Sequence, residues 1–574
     1  MKQQLFVWIW LLWAGLSSSA WAQPGPAYSW AMRGGGTGDD RGIQTAVDAA
    51  GNVYMAGYFR GTATFGTSTL TSRGDYDVYL AKYSSQGQLL WISQAGGTGR
   101  EFVRSLAVDA AGNAYITGDF GTFNSLGPPV MVIGSTTLTG GSDFEEMFLA
   151  KYDAQGNTLW ARQSVGPGSS WGSDVAVDGA GNVYLTGSLS GRPGGQTRLD
   201  QFTFTFGTNL ANQFLAKYNS QGTVQWARTD LGNGTNAHYD LHERIAVDGD
   251  GQVYLVGYFG NALVLGTTTL STAPGTTSMY LAKFNPQSNV LWVKQFSTSS
   301  GCCNACNGLV VDPCGDVMLA LLFEGTFAFE AHPFTSRGGT DILLLKCSPQ
   351  GAFRWGTQLG GTYVNGPGAS SFTDYASSPV VDASGNSYLA ARLYGSPTLT
   401  THTGNSTSYE HLVSFSPTGA VRWTRLNAAI AYDVAVSGTG NLFVTGAINY
   451  PTSFDATTLA FAGFADAYLA KLDASTFSSP ALVCAPIPEE IPASFLIPNI
   501  ITPNNDGQND AFRLPGLPAG PWQLSIYNRW GTRVYHADDY RQNWNAPGQP
   551  DGSYYYYLQA RNKPTIKGWL EVIR

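Results

Sequence analysis

Several short stretches of this 574-residue chain carry residue types that do chemistry. Gly168 to Gly172, "GSSWG", has the spacing of a nucleophile elbow, a motif that works only at a strand-to-helix turn where a His and an acid converge on the serine. No helical pattern follows it, so it reads as a loop. His238 and His242, with Asp240 and Glu243, offer nitrogen and oxygen ligands of the kind a transition metal takes. Nothing helical fixes their spacing, and a polar loop is the simpler reading. "DGDG" from Asp248 has the look of a calcium loop but lacks the remaining oxygen ligands. Cys302, Cys303, Cys306, Cys314, Cys347 and Cys484 would form disulfides in an oxidising compartment, or the "CCNAC" run would hold a soft metal through thiolates. Export favours disulfides, and the sequence leaves their pairing open. No residue is identified as catalytic or as a metal ligand, no cofactor is implied, and the protein reads as a non-enzyme.

The elements that position these residues are repeats. "AVDAAGNVYMAGYF" at Ala46 recurs as "AVDAAGNAYITGDF", "AVDGAGNVYLTGSL", "AVDGDGQVYLVGYF", "VVDPCGDVMLALLF", "VVDASGNSYLAARL" and "AVSGTGNLFVTGAI". The shared position falls at Asp48, Asp109, Asp178, Asp248, Asp312, Asp382 and Ser437. Each copy is an apolar run, a Gly- and Asn-bearing tetrapeptide and an alternating run, the pattern of two antiparallel strands and a tight turn. A second string follows in each copy, as in "YLAKYSSQGQLLW" and "FLAKYDAQGNTLW", and reads as a second hairpin. One unit is therefore four strands, and a lone sheet of this kind buries its faces only by stacking on its own copies. The last copy lacks a Trp strand after Lys471. "YSWAMRGGGTGDD", Tyr28 to Asp40, matches the missing piece, with Trp30 equivalent to Trp91, Trp160, Trp226, Trp292, Trp355 and Trp423.

These strings resemble the bacterial β-propeller repeat with the "VDxxGNxYxxG" signature. The resemblance implies an all-β fold: a seven-bladed β-propeller over residues 23–474, closed by the N-terminal strand. Its divergent loops lie between blades and between second and third strands, where recognition usually sits. The candidate ligand contacts there are Asp39, Asp40, Arg41, Arg104, Trp171, Asp174, His238, His242, Glu243, Asp374, Tyr375, Tyr432 and Asp433. The alternative for the recurring acids is that they bond neighbouring backbone amides and set where each strand begins.

After a Pro-containing linker, residues 475–492, a second composition begins. "TPNNDGQND" at Thr502, "IYNRWG" at Ile526 and the closing "KGWLEVIR" look like the gliding-motility-associated C-terminal domain, a type B sorting signal of type IX secretion. The match implies a small β-sandwich over residues 493–574 that engages the secretion machinery. "NWNAPG" at Asn543 departs from the Trp-Asp-Gly common in that family. Met1 to Ala22 has the layout of a cleaved secretory signal, one Lys, an apolar run and a small-residue end. No other span is long and apolar enough for a membrane. The formal charge of −8, without a Lys and Arg cluster, argues against nucleic acid. The expectation is an extracellular or outer-surface protein, exported through the periplasm, that binds a glycan or protein. A carbohydrate-active enzyme and a passive surface spacer are the other readings.

Overall fold

The computed structural model describes residues 23–121, 128–141, 145–206, 211–231, 243–273, 276–298, 305–337, 339–361, 374–394, 408–473, 484, 498–504, 506, 508–515, 522–560 and 566–574. The 1–22 leader, His238, His242, Cys302, Cys303 and all of the linker but Cys484 fall outside them. The chain divides into two compact units, Met1–Leu482 and Val483–Arg574. Among the described residues there are strands and no helix, so the fold is all-β, and no helix is long and apolar enough to cross a membrane.

In the first unit the strands pair in successive antiparallel quartets. Sheet one is Arg41–Val47, Val53–Phe65, Ser68–Tyr83 and Leu89–Gly97. Sheet two is Arg100–Val108, Ala114–Gly121, Glu146–Tyr152 and Thr158–Val165. Sheet three is Ser170–Val177, Val183–Ser190, Ala211–Tyr218 and Val224–Arg228. Sheet four is Arg244–Val247, Val253–Gly260, Thr277–Phe284 and Val290–Gln295. Sheet five is Ala305–Val311, Val317–Phe323, Asp341–Cys347 and Phe353–Leu359. Sheet six joins Tyr375–Ala376 and Val380–Val381 to Ser387–Tyr394, Ser408–Phe415 and Val421–Leu426. Sheet seven is Ile430–Val436, Leu442–Ile448, Asp466–Leu472 and, from the other end of the sequence, Tyr28–Gly36.

The register shows what the repeated residues do. The Trp of the fourth strand stands opposite the Lys of the third: Trp91 and Lys82, Trp160 and Lys151, Trp226 and Lys217, Trp292 and Lys283, Trp355 and Lys346, Trp30 and Lys471. On its other side Lys82 faces Tyr54 in register, its ammonium 4.7 Å from the ring centroid and 3.0 Å from Asp48. Lys151, Lys217 and Lys283 lie over Tyr115, Tyr184 and Tyr254 in the same way. A cation held between a ring face and a carboxylate fixes the hairpin end. In sheet five Met318 replaces the tyrosine, and Asp316 supplies a second carboxylate to Lys346 instead. The turn closes through the carboxylate of Asp48, which accepts from the amides of Ala50 and Asn52, while Gly51 takes a φ of 81° that its type allows cheaply.

Each indole also reaches the next sheet. The Nε1 groups of Trp91, Trp160, Trp226, Trp292 and Trp355 donate to the carbonyls of Ala154, Ser220, Pro286, Pro349 and Pro417 at 2.8–3.1 Å. Trp30 donates likewise to Ser85 of sheet one at 3.3 Å. The apolar faces pack between sheets. Val53, Met55 and Tyr79 of sheet one share a buried cluster with Phe443, Ala467 and Leu469 of sheet seven.

The cysteines correct part of the sequence reading. Cys314 and Cys484 each take part in a disulfide. Cys306 and Cys347, expected as disulfide candidates, are free thiols. Both sit on strands with side chains inside the core between sheets four and five, where burial pushes each thiol up to about 12 and keeps it protonated.

In the second unit, the described residues form one five-stranded sheet, in the order Ile500–Ile501, Ile566–Val572, Gly552–Ala560, Trp522–Asn528 and Arg533–Ala537. Its apolar face is covered by Phe512, Leu514, Tyr540 and Trp544 from segments outside the strands, where a sandwich would place a second sheet. Ala546, in the segment that departs from Trp-Asp-Gly, is fully buried at a φ of 53°, a left-handed conformation that a Cβ makes costly. Ala546→Gly is therefore expected to stabilise this unit by about 1 kcal/mol, read as a higher thermal midpoint. An unchanged or lower midpoint would show that the lost methyl contact outweighs the relieved strain.

Candidate functional site

The candidate face is built at the starts of the first strands, where neighbouring sheets are joined by polar side chains. Asp433 of sheet seven accepts from the Thr45 amide of sheet one at 2.9 Å. Asp174 of sheet three accepts from the Ser105 hydroxyl of sheet two at 2.6 Å and from the Ile245 amide of sheet four at 3.0 Å. Glu243 accepts from Ser173 and Ser188 at 2.7 and 3.0 Å. Asp374 accepts from the Tyr394 amide at 2.8 Å, and Asp40 from the amides of Gly36 and Arg60 at 2.7 and 3.1 Å. Burial is the main influence on all five carboxyls and raises them, Asp40 to about 6, Asp374 and Asp433 to about 7. The donors that hold them are backbone amides and hydroxyls, which is the structural role weighed for the recurring acids.

The basic and aromatic candidates stand differently. Arg41 holds Asp39 through two nitrogens, at 2.7 and 3.1 Å, and donates to the Tyr432 hydroxyl at 2.9 Å. Arg104 occupies a bulge between Val103 and Ser105 and pairs with Asp119. Trp171 is half-buried on the first strand of sheet three. Tyr375 remains 36% exposed and stands opposite Arg392, which pairs with Glu410. Its phenol is nonetheless pushed up to about 12 by the surrounding protein, and Arg244, Asp433, Tyr432 and Arg392 all act on it. Residues of sheets four, six and seven thus converge on it.

Arg244, Tyr58 and Arg392 are part of this arrangement and were not among the sequence candidates. Arg244 donates from Nε to the Asn307 carbonyl of sheet five at 2.8 Å, and Asn307 donates on to the Ala376 carbonyl of sheet six at 2.7 Å. Tyr58 packs edge-on against Phe102 of sheet two at 5.0 Å. A repeat alignment carries the missing signal. Gln44, Ser105, Asp174, Arg244, Gly308, Ser378 and Asp433 all lie four residues before the shared repeat position. Ser170, within the elbow-like string, is buried on a strand with its hydroxyl engaged by Ser164 and Met147. Among the described residues no group of acids, His and Cys has the arrangement of a metal site.

Two family models match the chain. One, described as a CHU_C type IX secretion signal domain, covers residues 495–572, and the other, a β-propeller repeat, covers residues 90–119 and 159–188. The chain carries β-propeller repeats and a type IX secretion signal domain. Such a signal makes it a secreted or surface protein handled by the type IX machinery. Both repeat matches run from the fourth strand of one sheet to the second strand of the next.

An uncharacterized WD repeat-containing protein, L264, of Acanthamoeba polyphaga mimivirus is 25% identical over 42% of this chain, and the regulatory protein FlaEY of Caulobacter vibrioides is 28% identical over 26%. These alignments span 19% and 16% of those proteins' own lengths. Among solved structures, a protein of unknown function from Dyadobacter fermentans is 9% identical, with a TM-score of 0.35 over 79% of this chain and 100% of that one.

Proposed function

We propose that the seven sheets are blades of one closed β-propeller, brought through the periplasm and presented outside the cell, and that it binds a glycan or protein ligand at the mouth of its central channel. Closure of the ring is supported by the pairing of Trp30 with Lys471 and by the Asp433 bond to Thr45. The observation that carries the binding reading is the division of labour on that face. The acids that would serve as catalytic carboxylates are held by amides and hydroxyls that join the sheets, while Arg41, Tyr375 and Tyr432 come from separate sheets and keep part of their surface open. Binding is favoured over catalysis because acid and base groups free to converge on a substrate are what hydrolysis needs.

The test is binding of the mature chain to glycan and protein arrays, repeated with Tyr375→Ala combined with Tyr432→Ala. Loss of two polar aromatic contacts is expected to weaken a true ligand at least about tenfold with the melting curve retained. A ligand lost only on mutating the opposite, short-turn face would remove the proposal, and an array hit that is cleaved would replace it with the enzyme reading.

A further inference from the structure

Of the four arginines described at this face, three are paired with carboxylates. Arg41 is held by Asp39, Arg104 by Asp119 and Arg392 by Glu410. Arg244 spends only its Nε, on the Asn307 carbonyl at 2.8 Å. Among the described residues neither of its terminal nitrogens meets a hydrogen-bond acceptor or lies within ion-pair distance of a carboxylate. The acids at its own repeat position in other sheets, Asp174 and Asp433, are each bonded to the first strand of the following sheet. Arg244 stands where they stand, turned to Asn307 of the following sheet by a single bond.

An oriented guanidinium with its two terminal nitrogens open is a fork for a planar anion, and a carboxylate matches it through two parallel hydrogen bonds. The neighbouring groups include the carboxyls of Asp174, Glu243 and Asp433, which burial raises and which amides and hydroxyls hold, and phenols, which offer an O–H to a polar ligand and an apolar face to a ring. One open guanidinium beside three paired ones suits a ligand with one acidic group on an otherwise neutral, hydroxyl-rich body. A run of carboxylates, as in an acidic peptide, needs several open cations and meets a chain whose formal charge is −8.

We propose that the channel mouth takes a uronic acid unit of an acidic glycan, its carboxylate on the terminal nitrogens of Arg244 and its ring beside Tyr375 and Tyr432. This rests on the reading of that face as the binding face, and it adds the ligand class and the residue that selects it.

The experiment uses the full mature chain, immobilised glucuronate-terminated oligosaccharides, the same oligosaccharides ending in glucose, and tetraglutamate. The uronate forms are expected to bind at least about tenfold more tightly than their neutral partners, the worth of a charge-assisted bidentate contact. Arg244→Met should abolish that preference, and Arg244→Lys, which keeps the charge without the fork, should restore part of it. An unchanged near-ultraviolet spectrum and melting curve for both variants show that the ring is intact. Equal binding of neutral and acidic forms, a preference that survives Arg244→Met, or binding of tetraglutamate alone overturns the proposal. If neutral glycans bind and the Tyr375 and Tyr432 substitutions remove them, the binding face stands and the carboxylate specificity falls. If nothing binds the folded chain, both fall.

Discussion

Deleting residues 23–36 is expected to cost the first unit its cooperative fold. That segment supplies the outer strand of sheet seven, from Tyr28 opposite Leu472 to Gly34 opposite Ala467. Without it Leu469 and Phe443, both fully buried, lose a covering edge, and the Trp30 bond to Ser85 disappears. Arg33, which pairs with the buried Asp466, leaves that carboxylate unmatched. Lost strand pairing, opened core and an uncompensated acid each belong to the mechanisms with the largest known effects. Their sum exceeds about 5 kcal/mol, within the range of a whole domain's stability. Thermal unfolding and protease resistance of the deleted chain are the readouts, and a melt within about 3 °C of the parent would mean that the strand is decoration. Adding a peptide of residues 23–40 in trans should restore part of the protection, because the edge it completes is preformed by the other three strands.

The second expectation concerns pH. Glu101 is wholly buried beside Asp77, accepts from the Gly97 amide at 3.1 Å and from the backbone of Gly99, and is raised by burial from 4.5 to about 9. The folded chain therefore keeps a proton that the unfolded chain has lost. Its contribution is fully present below pH 4.5 and is lost as pH rises toward 9, at up to about 1.4 kcal/mol per pH unit. Asp40, Asp374 and Asp433 lean the same way over narrower windows, so the protein should be more stable at pH 5 than at pH 8.5. Glu101→Gln keeps the shape and removes the ionisation. Its unfolding free energy, measured by denaturant titration, is expected to match the parent at pH 5 and exceed it at pH 8.5 by an amount on the order of a few kcal/mol. An equal offset at both values would show that Glu101 is not the source of the slope.

Much of this fold was legible because its local rules repeat. The Asp48 turn, the Trp strand and the resemblance of Tyr28–Asp40 to later Trp segments are visible as strings, and one unit teaches the reading of the next. The second unit was recognised by its motifs, yet its core is covered by segments without strand pattern, which alternation does not reveal. The functional face was legible only in part. Asp174, Glu243 and Asp433 stood out as acids in divergent loops, but an acid that ties two sheets and an acid that meets a ligand look the same in sequence, since the difference lies in which amide faces it. Arg244 does not stand out in sequence, because it follows directly on His238, Asp240, His242 and Glu243, whose side chains carry the more conspicuous chemistry. The carboxylate of Asp77 shows the same limit: it explains Gly96, where a Cβ would come within 2.0 Å of Asp77 Oδ2, a constraint invisible until the two strands are paired.

The indole that six of the seven sheets extend to the next gives those seams one recurring joint. At those six joints the donor forward and the acceptor backward are of one kind, so the indole bond does not itself encode which unit must follow which. Whole units, cut from one tryptophan to the next, are interchangeable parts at this level. A lineage built this way can lengthen or shorten by duplication or loss of a part without inventing a new joint.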